Sequence, residues 1–228
     1  MFVTLDFINF KFDNNELYVL LSKRENKELP AYGEYSIQGG MVWEAPIEGS
    51  DEYDENLEQA STRILKAKLG GIEPCYVEQL PAVGCQSRDS RGWSVTLPHL
   101  SLIGDPSRID GENNIWVPVT AILENKNLPF DHSDLVEESY NTLRNKAKYS
   151  SILLYLLGES FTIAHAVEIF SYFGLKVSKQ TVHNRWVKSG LLENTGDFFQ
   201  QAKGGQPSAL YRLKEKSLSY FEVAIGNL

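Results

Sequence analysis

The chain has 228 residues, of which 42% are apolar and 11% aromatic, enough to build the cores of one large or two modest domains. The longest compact apolar run, residues 152–157, is far too short to span a bilayer, and Asp6 and Lys11 interrupt any secretion signal. We therefore expect a cytoplasmic protein without membrane contact. The net charge of −8 divides unevenly: residues 1–147 hold 13 Lys+Arg against 24 Asp+Glu (net −11), and residues 148–228 hold 9 against 6 (net +3). A basic C-terminal part on an acidic body suggests a polyanionic partner.

Three strands are predicted at the start of the chain. Residues 1–12 alternate between apolar and polar side chains, and an Asp-Asn-Asn turn joins them to residues 16–22, their expected hairpin partner. After a polar loop, residues 36–42 form a third, short strand that is interrupted by Gly39 and Gly40. Paired glycines allow a bulge or the close approach of a ligand phosphate to the backbone.

Residues 55–69 predict an amphipathic helix, because apolar side chains recur there at helical spacing. The side chains expected to face the core are Leu57, Ala60, Ile64, Leu65 and Leu69. Taken alone, this pattern suits an ordinary surface helix as well as part of a binding site.

Strands and one long helix follow. Residues 75–81, the end of segment 85–102 and residues 114–122 predict strands, and a helix is expected to begin near residue 130 and to run through Leu143. These elements predict an α+β fold in which helices flank a mixed sheet.

The last third has a different pattern. Short helices are predicted at residues 149–157, 162–173 and 178–189, and Ser178 is a suitable N-cap for the third. A candidate β-hairpin follows and is closed by residues 209–213. Helices followed by a hairpin are the order of a winged helix-turn-helix, and a generic protein-docking module is the alternative.

The third of these helices carries polar side chains suited to DNA. Its apolar stripe, formed by Val182, Trp186, Val187 and Leu191, is expected to be buried and to leave the polar side chains on the other face. Such side chains reach both phosphates and base edges. The predicted DNA-contacting residues are Lys179, Gln180, Thr181, His183, Asn184, Arg185 and Lys188 in the helix, and Lys203 and Gln206 in the hairpin.

The stretch from Gly49 to Gly71 resembles the Nudix box, in which glutamates on one helix face hold magnesium against a substrate diphosphate. The residues at the required spacings are Gly49, Glu55, Arg63, Leu65 and Gly70. The three later glutamates of the motif are replaced by Ile64, Ala67 and Lys68. Ala67 supplies no ligand oxygen and Lys68 would repel the metal, so the frame of the motif is kept and its catalytic carboxylates are lost.

Over nearly its whole length the sequence is similar to the Nudix-related transcriptional regulators of NAD biosynthesis, which join a Nudix domain to a C-terminal winged helix. Besides the box helix, the similarity is carried by residues 88–93 (RDSRGW), 130–132 (FDH) and 190–193 (GLLE). It implies a Nudix-like effector-binding domain over residues 1–147 and a winged helix-turn-helix DNA-binding domain over residues 148–228.

The resemblance implies a homodimeric repressor that binds a palindromic operator in double-stranded DNA, with an affinity that changes when ADP-ribose binds. No cofactor or metal is expected, and a ligand would be held without being cut. The residues expected to bind it are Arg24, Gln38, Gly39, Gly40, Lys68, Arg88 and Arg91, and the guanidinium forks among them suit phosphate oxygens. Residues 130–148, which join the two domains, are the expected route of transmission.

Other functions stay open at this point. A solvated lysine at position 68 and a solvated hairpin at residues 88–92 are alternatives to phosphate binding. A Nudix pyrophosphohydrolase acting on ADP-ribose would need Glu52, Glu55 and Glu58 to recruit magnesium in an altered geometry. A sister branch of the family reads sugar effectors, and a protein-docking scaffold would bind neither ligand nor DNA.

Overall fold

A computed structural model describes residues 1–43, 55–105, 109, 113–200, 206–215 and 217–225. The strands are β1 (Phe2–Asp13), β2 (Glu16–Lys23), β3 (Tyr35–Ser36), β4 (Gln38–Met41), β5 (Tyr76–Gln79), β6 (Val83–Cys85), β7 (Ser94–Leu102), β8 (Asn114–Pro118), β9 (Leu192–Phe199) and β10 (Ser208–Leu213). The helices are α1 (Leu57–Lys68), α2 (Val119–Asn125), α3 (His132–Tyr149), α4 (Ile163–Tyr172) and α5 (Lys179–Val182). A 3-10 helix, Ile152–Leu156, follows α3, and a π turn, His183–Val187, continues α5.

The long strand β1 is at the centre of an eight-stranded sheet. It pairs antiparallel with β2 and β4 and parallel with β7. Strand β7 in turn pairs antiparallel with β5 and β6, and β2 pairs with β3 and β8. Residues 4–10 of β1 are buried without interruption, as expected for a strand covered on both faces. The prediction of an α+β fold built on a mixed sheet is confirmed.

The turn between β1 and β2 also agrees with the sequence prediction. Asn14 and Asn15 have φ angles of 49° and 61°, and Asp13 faces Glu16 across the pair of strands. Two consecutive left-handed residues are the geometry of a type I′ hairpin turn, in which Asn is favoured because it tolerates positive φ.

Two of the predicted elements are wrong. Residues 119–122 belong to α2 and not to a strand, because Val119 and Ile122 lie one helical turn apart and both pack inward. Residues 149–157 do not form one helix, since α3 extends to Tyr149 and a separate 3-10 helix follows after a break.

One hydrophobic cluster connects the sheet to the C-terminal helices. It extends from Phe10 of β1 through Leu143 of α3 to Phe170 of α4 and Trp186. The Trp186 ring is fully buried and stacks on Phe170 with 5.1 Å between the ring centroids. The predicted domain boundary at residues 147/148 falls within the last turn of α3 and stays a prediction.

The C-terminal third contains its helices and hairpin in the predicted order, with β10 antiparallel to β9. The Ser178 hydroxyl accepts a hydrogen bond of 3.0 Å from the backbone N–H of Thr181, so the predicted N-cap is confirmed. Thr162 caps α4 in the same way through His165 N–H. Across the described part of the chain, no helix is long and apolar enough to cross a membrane.

Candidate functional site

A cleft of about 390 Å³ opens beside β1, β4 and the start of α3. All of the residues expected from the sequence to bind an effector line it, namely Arg24, Gln38, Gly39, Gly40, Lys68, Arg88 and Arg91. They come from four separate parts of the chain, which the sheet brings together because β1 pairs with both β4 and β7.

Arg88 is the most deeply placed of the basic groups. Its Nε donates to Asp131 Oδ2 at 2.8 Å and its Nη2 donates to Asp131 Oδ1 at 2.9 Å, which makes a bidentate pair. The same Nη2 also donates to Asp6 Oδ2 at 3.2 Å. Only 5% of the Arg88 side chain is exposed, and a buried guanidinium requires such compensation.

The other two arginines leave positive charge closer to the surface of the cleft. Arg91 is paired with Asp89, with Nη2 2.7 Å from Oδ2. Arg24 donates through Nε to the Pro30 carbonyl at 2.9 Å and lies over the Phe130 ring at 5.0 Å. Burial, and then repulsion by Arg91, lower the pKa of Arg24. An anion bound between Arg24 and Arg91 would relieve that repulsion.

Strand β4 fits closely between neighbouring elements. A Cβ at Gly39 would lie 2.2 Å from Asp6 Oδ1 and 2.8 Å from the Leu5 carbonyl, and a Cβ at Gly40 would lie 2.9 Å from Ile64 Cγ1. The lack of a side chain at both positions therefore makes room for neighbouring protein atoms, and both glycines also border the cleft. Gln38 is buried, with its amide accepting from Asn9 Nδ2 and donating to Ser22 Oγ.

The retained residues of the Nudix box fasten α1 to the end of β4. Arg63 Nε donates to Glu55 Oε2 at 2.9 Å, and Arg63 Nη2 donates to the Met41 carbonyl at 2.8 Å. The guanidinium lies over the Trp43 ring at 3.7 Å, and Trp43 N–H donates to Glu55 Oε1. Gly49 and Glu52 lie outside the described residues.

The three positions at which a glutamate of the Nudix box is replaced lie in three different environments. Ile64 is buried against Leu5 and Ala60, Ala67 is exposed, and Lys68 is exposed and borders the cleft. Leu57, which was expected to face the core, is 45% exposed at the first position of α1. Among the described residues, no cluster of three or more His, Cys, Asp or Glu side chains is arranged to hold a metal ion.

Sequence reasoning missed Asp6, Phe130 and His132 as cleft residues and Asp131 as the partner of Arg88. His132 is buried, its Nδ1 has no hydrogen-bond partner within the described ranges, and burial lowers its pKa, so the ring is neutral at pH 7. The segment Phe-Asp-His was recognised as the start of a helix and as part of the family similarity, but not as part of the cleft. Its spacing contains no signal that it would meet Arg88.

Most of the predicted DNA-contacting side chains are exposed on α5 and the π turn. The exposed ones are Lys179, Gln180, Thr181, Asn184 and Lys188, together with Gln206 before β10. His183 is half-buried, and its Nδ1 has no hydrogen-bond partner in the part of the chain that the structure describes. Lys203 lies outside that part.

The prediction that Arg185 lies on the outer face is wrong. Its Nη2 donates to the Lys148 carbonyl at 3.2 Å, and its guanidinium lies over the Phe221 ring at 4.0 Å. Arg185 follows Val182 by three positions, so it shares the side of the helix that faces the core. The side chain connects α5 to the end of α3.

Comparison with known proteins places this geometry in a family. No protein-family model matches the sequence. The chain is 31% identical over 215 residues to the ADPR-responsive transcriptional repressor NtrR of Acinetobacter baylyi, covering 92% of this chain and 81% of that protein. The chain belongs to the NtrR/NrtR family of transcriptional repressors. The resemblance inferred from the sequence is thus confirmed.

Two solved structures of this family match the fold. Shewanella oneidensis NrtR complexed with a 27mer DNA is 31% identical, with a TM-score of 0.83 over 98% of this chain and 99% of that chain. The Nudix domain of the same NrtR complexed with ADP ribose is 34% identical, with a TM-score of 0.50 over 62% of this chain and 87% of that chain. Both the sheet and the C-terminal helices therefore have counterparts within one family member.

The Glu55–Arg63 pair gives a pH-dependent prediction. The hydrogen bond from Arg63 lowers the pKa of Glu55 against the opposing effect of burial. A lowered folded-state pKa contributes stability above the unfolded-state value of 4.5, and this is lost as the pH falls through the folded-state pKa. We expect Glu55→Gln to lower the free energy of unfolding at pH 7 by about 1–3 kcal/mol, as for other hydrogen bonds to charged groups.

Urea unfolding between pH 7 and pH 3 measures this effect. The difference between Glu55→Gln and the wild type should shrink towards zero at the acid end, where Glu55 itself becomes protonated. The exposed Glu58, in the first turn of the same helix, provides the control Glu58→Gln, for which only a small change is expected. An equal loss of stability at every pH would contradict the ion-pair explanation.

Proposed function

We propose that this protein is a homodimeric transcriptional repressor of NAD biosynthesis or salvage genes, that its cleft binds ADP-ribose or a related nucleotide, and that its C-terminal part binds an operator in double-stranded DNA. The observation that carries the proposal is the convergence of Arg24, Lys68, Arg88 and Arg91 on one cleft in a chain of this family. The NrtR structures complexed with DNA and with ADP ribose support the choice of both partners.

The cleft suits a nucleoside diphosphate joined to a second sugar. Its volume of about 390 Å³ lies within the range of small-molecule sites. The basic side chains would bind the diphosphate, and Arg91 and Lys68 are the more accessible of them. Leu29, Met41 and Phe130 add apolar surface for a base or a ribose.

We propose that the ligand is held without being hydrolysed. The helix face that would carry magnesium ligands in a Nudix hydrolase has Ile64 in the core and Ala67 in solvent, and Lys68 brings a positive charge to the cleft. A lysine can neutralise a diphosphate in place of a metal, but it cannot activate a water molecule as bound magnesium does. Occupancy of the cleft then becomes a signal.

Incubation of the purified protein with ADP-ribose and magnesium tests this point. We expect AMP formation no faster than in the absence of protein, because the carboxylates are missing. An active Nudix pyrophosphatase in the same buffer serves as the positive control. Magnesium-dependent release of AMP by this protein would show that the box still works in an altered form.

We propose that α4, α5 with its π turn, and the β9–β10 hairpin form a winged helix-turn-helix. The second helix of such a motif enters the major groove, and the hairpin is the wing. The polar residues exposed on α5 would contact bases and phosphates, and Gln206, just before β10, would lie in the wing. Lys203 is proposed as a further DNA contact. In a dimer, two such helices must meet half-sites about 34 Å apart, so a small rotation between protomers would weaken binding.

ADP-ribose alters DNA affinity only if it binds one arrangement of the dimer more tightly than the other. Coupling of about 1–3 kcal/mol is typical of such regulators and corresponds to a change of roughly 5- to 150-fold in DNA affinity. We place the boundary between the effector-binding domain and the DNA-binding domain near residues 147/148, with α3 connecting the two.

The contribution of Lys68 can be isolated by a matched pair of variants. Lys68→Ala should weaken ADP-ribose binding by about tenfold, because a charge-assisted phosphate contact of this size is worth on the order of 1.4 kcal/mol. Lys66→Ala removes the same charge from the same helix at an exposed position that does not line the cleft, and it should leave the affinity unchanged. Equal ADP-ribose affinities for both variants in titration calorimetry would show that Lys68 is a solvated side chain that does not contact the ligand.

The outward and inward positions of the π turn give a second matched pair. Lys188→Ala should weaken binding to the upstream DNA of the neighbouring operon, with the slope of log K against log salt reduced by about one unit and stability unchanged. Arg185→Ala should instead lower stability, because its contacts with Lys148 and Phe221 are lost, and should leave the salt slope unchanged. The opposite result would return Arg185 to the DNA interface.

A further inference from the structure

The guanidinium fork of Arg88 is already occupied. Asp131 accepts from both Nε and Nη2 at 2.8 and 2.9 Å, and Asp6 accepts from Nη2 at 3.2 Å. Among the described residues, Nη1 has only long contacts, 3.5 Å to Thr4 Oγ1 and 3.5 Å to Ser94 Oγ. A phosphate recognises the same edge of a guanidinium group that a carboxylate does. A phosphate can therefore take this edge only by displacing a carboxylate.

Asp131 is the carboxylate better placed to be displaced. Its side chain is 17% exposed, against 9% for Asp6, which lies in the middle of β1. Phe130 and His132, the residues on either side of Asp131, both line the cleft. If Asp131 leaves, Arg88 keeps Asp6 as a counter-charge and gains the incoming phosphate, so the buried guanidinium is never left unpaired.

Release of Asp131 would act directly on α3. Its carbonyl accepts from the N–H groups of Asp134 and Leu135 at 3.0 and 3.1 Å, so the residue starts the helix. Its side chain makes no capping hydrogen bond to the helix. The carboxylate is therefore committed to Arg88, and its displacement moves the first turn of α3 without removing a cap.

The other end of α3 contacts the elements that would read DNA. The helix has 18 residues and is therefore about 27 Å long. Near its end, Arg144 Nε donates to the Phe173 carbonyl after α4 at 3.4 Å, and the Lys148 carbonyl accepts from Arg185 in the π turn. The Lys148 carbonyl also accepts from the Ile225 N–H at 2.7 Å. A movement of the first turn along the helix axis would therefore be transmitted to α4 and to α5 with its π turn, the helices proposed to bind DNA.

We propose that Asp131 occupies the seat of an effector phosphate on Arg88, and that a diphosphate entering the cleft replaces the Asp131 carboxylate and thereby repositions α3 against the DNA-reading helices. The inference rests on the proposed function and adds the contact that changes between the ligand-free and the ligand-bound state. The ligand-free state is held by the Arg88–Asp131 pair and the bound state by an Arg88–phosphate pair, so the two states differ in a named contact, as coupling requires.

The test compares Asp131→Asn with Asp134→Asn in the full-length protein. Asn keeps the size of Asp131 but loses the charge that competes for Arg88. Asp134 lies in the same first turn, is 69% exposed and pairs with Lys126, so its variant removes the same charge without touching Arg88. Both variants are first checked by thermal unfolding, and ADP-ribose affinity and operator affinity with and without ADP-ribose are then measured.

We expect Asp131→Asn to bind ADP-ribose about tenfold more tightly than the wild type, the size of effect for about 1.4 kcal/mol of removed competition. Without ligand, its operator affinity should already be close to that of the ADP-ribose-bound wild type, and added ADP-ribose should change it little. Asp134→Asn should keep both wild-type affinities and the full response. The loss of response separates a switch from simple electrostatic repulsion, which would change ligand affinity alone.

Three results would overturn the inference in different ways. If the wild type responds to ADP-ribose and Asp131→Asn responds equally, or if Asp134→Asn reproduces its behaviour, then Asp131 is not the switch and the proposed function stands. If the operator affinity of the wild type does not respond to ADP-ribose, the proposed function and the switch fall together. An Asp131→Asn variant that folds and binds ADP-ribose more weakly would show that the carboxylate supports the ligand site instead of competing for it.

Discussion

The guanidinium group of Arg88 joins three parts of the chain that are far apart in sequence. Asp6 lies in the central strand, Arg88 in the loop before β7, and Asp131 at the start of α3. A buried charge of this kind is strongly destabilising when it is left without a partner, so in the ligand-free protein the loop and the helix are tied to the sheet. The walls of the cleft are thereby fixed relative to one another by charge as well as by apolar packing.

The same arrangement gives the cleft two kinds of positive charge. Arg88 is committed to carboxylates in its interior, whereas burial and then repulsion by nearby Arg91 lower the pKa of Arg24. Lys68 adds a charge at the position where a hydrolase would supply a metal ligand. Arg24, Arg91 and Lys68 lie nearer the surface and attract an anion. Arg88 lies deeper, where the arrival of that anion can be coupled to the 18-residue helix α3.

The sequence predicted local features well and long-range partners poorly. The β1–β2 turn and the Ser178 cap follow from turn chemistry and capping preference, and the residues expected in the cleft came from the family resemblance. Asp6 and Asp131 were missed because they meet Arg88 only through the parallel pairing of β1 with β7 and the packing of α3, which no local pattern specifies. Arg185 was misplaced because charge was taken as a sign of exposure, although its position relative to Val182 put it on the inner side.

The fastening of α1 to β4 also bears on how catalytic motifs are recognised. Glu55 and Arg63 form an ion pair that is completed by Trp43 and the Met41 carbonyl, so each of these partners is a group of the protein itself. A motif of this kind therefore contains two sets of residues, one that performs chemistry and one that shapes the backbone, and the two can be lost separately. A search that weighs every position alike would count Glu55 and Arg63 as evidence for hydrolysis. In this protein they show only how a helix is attached to a strand.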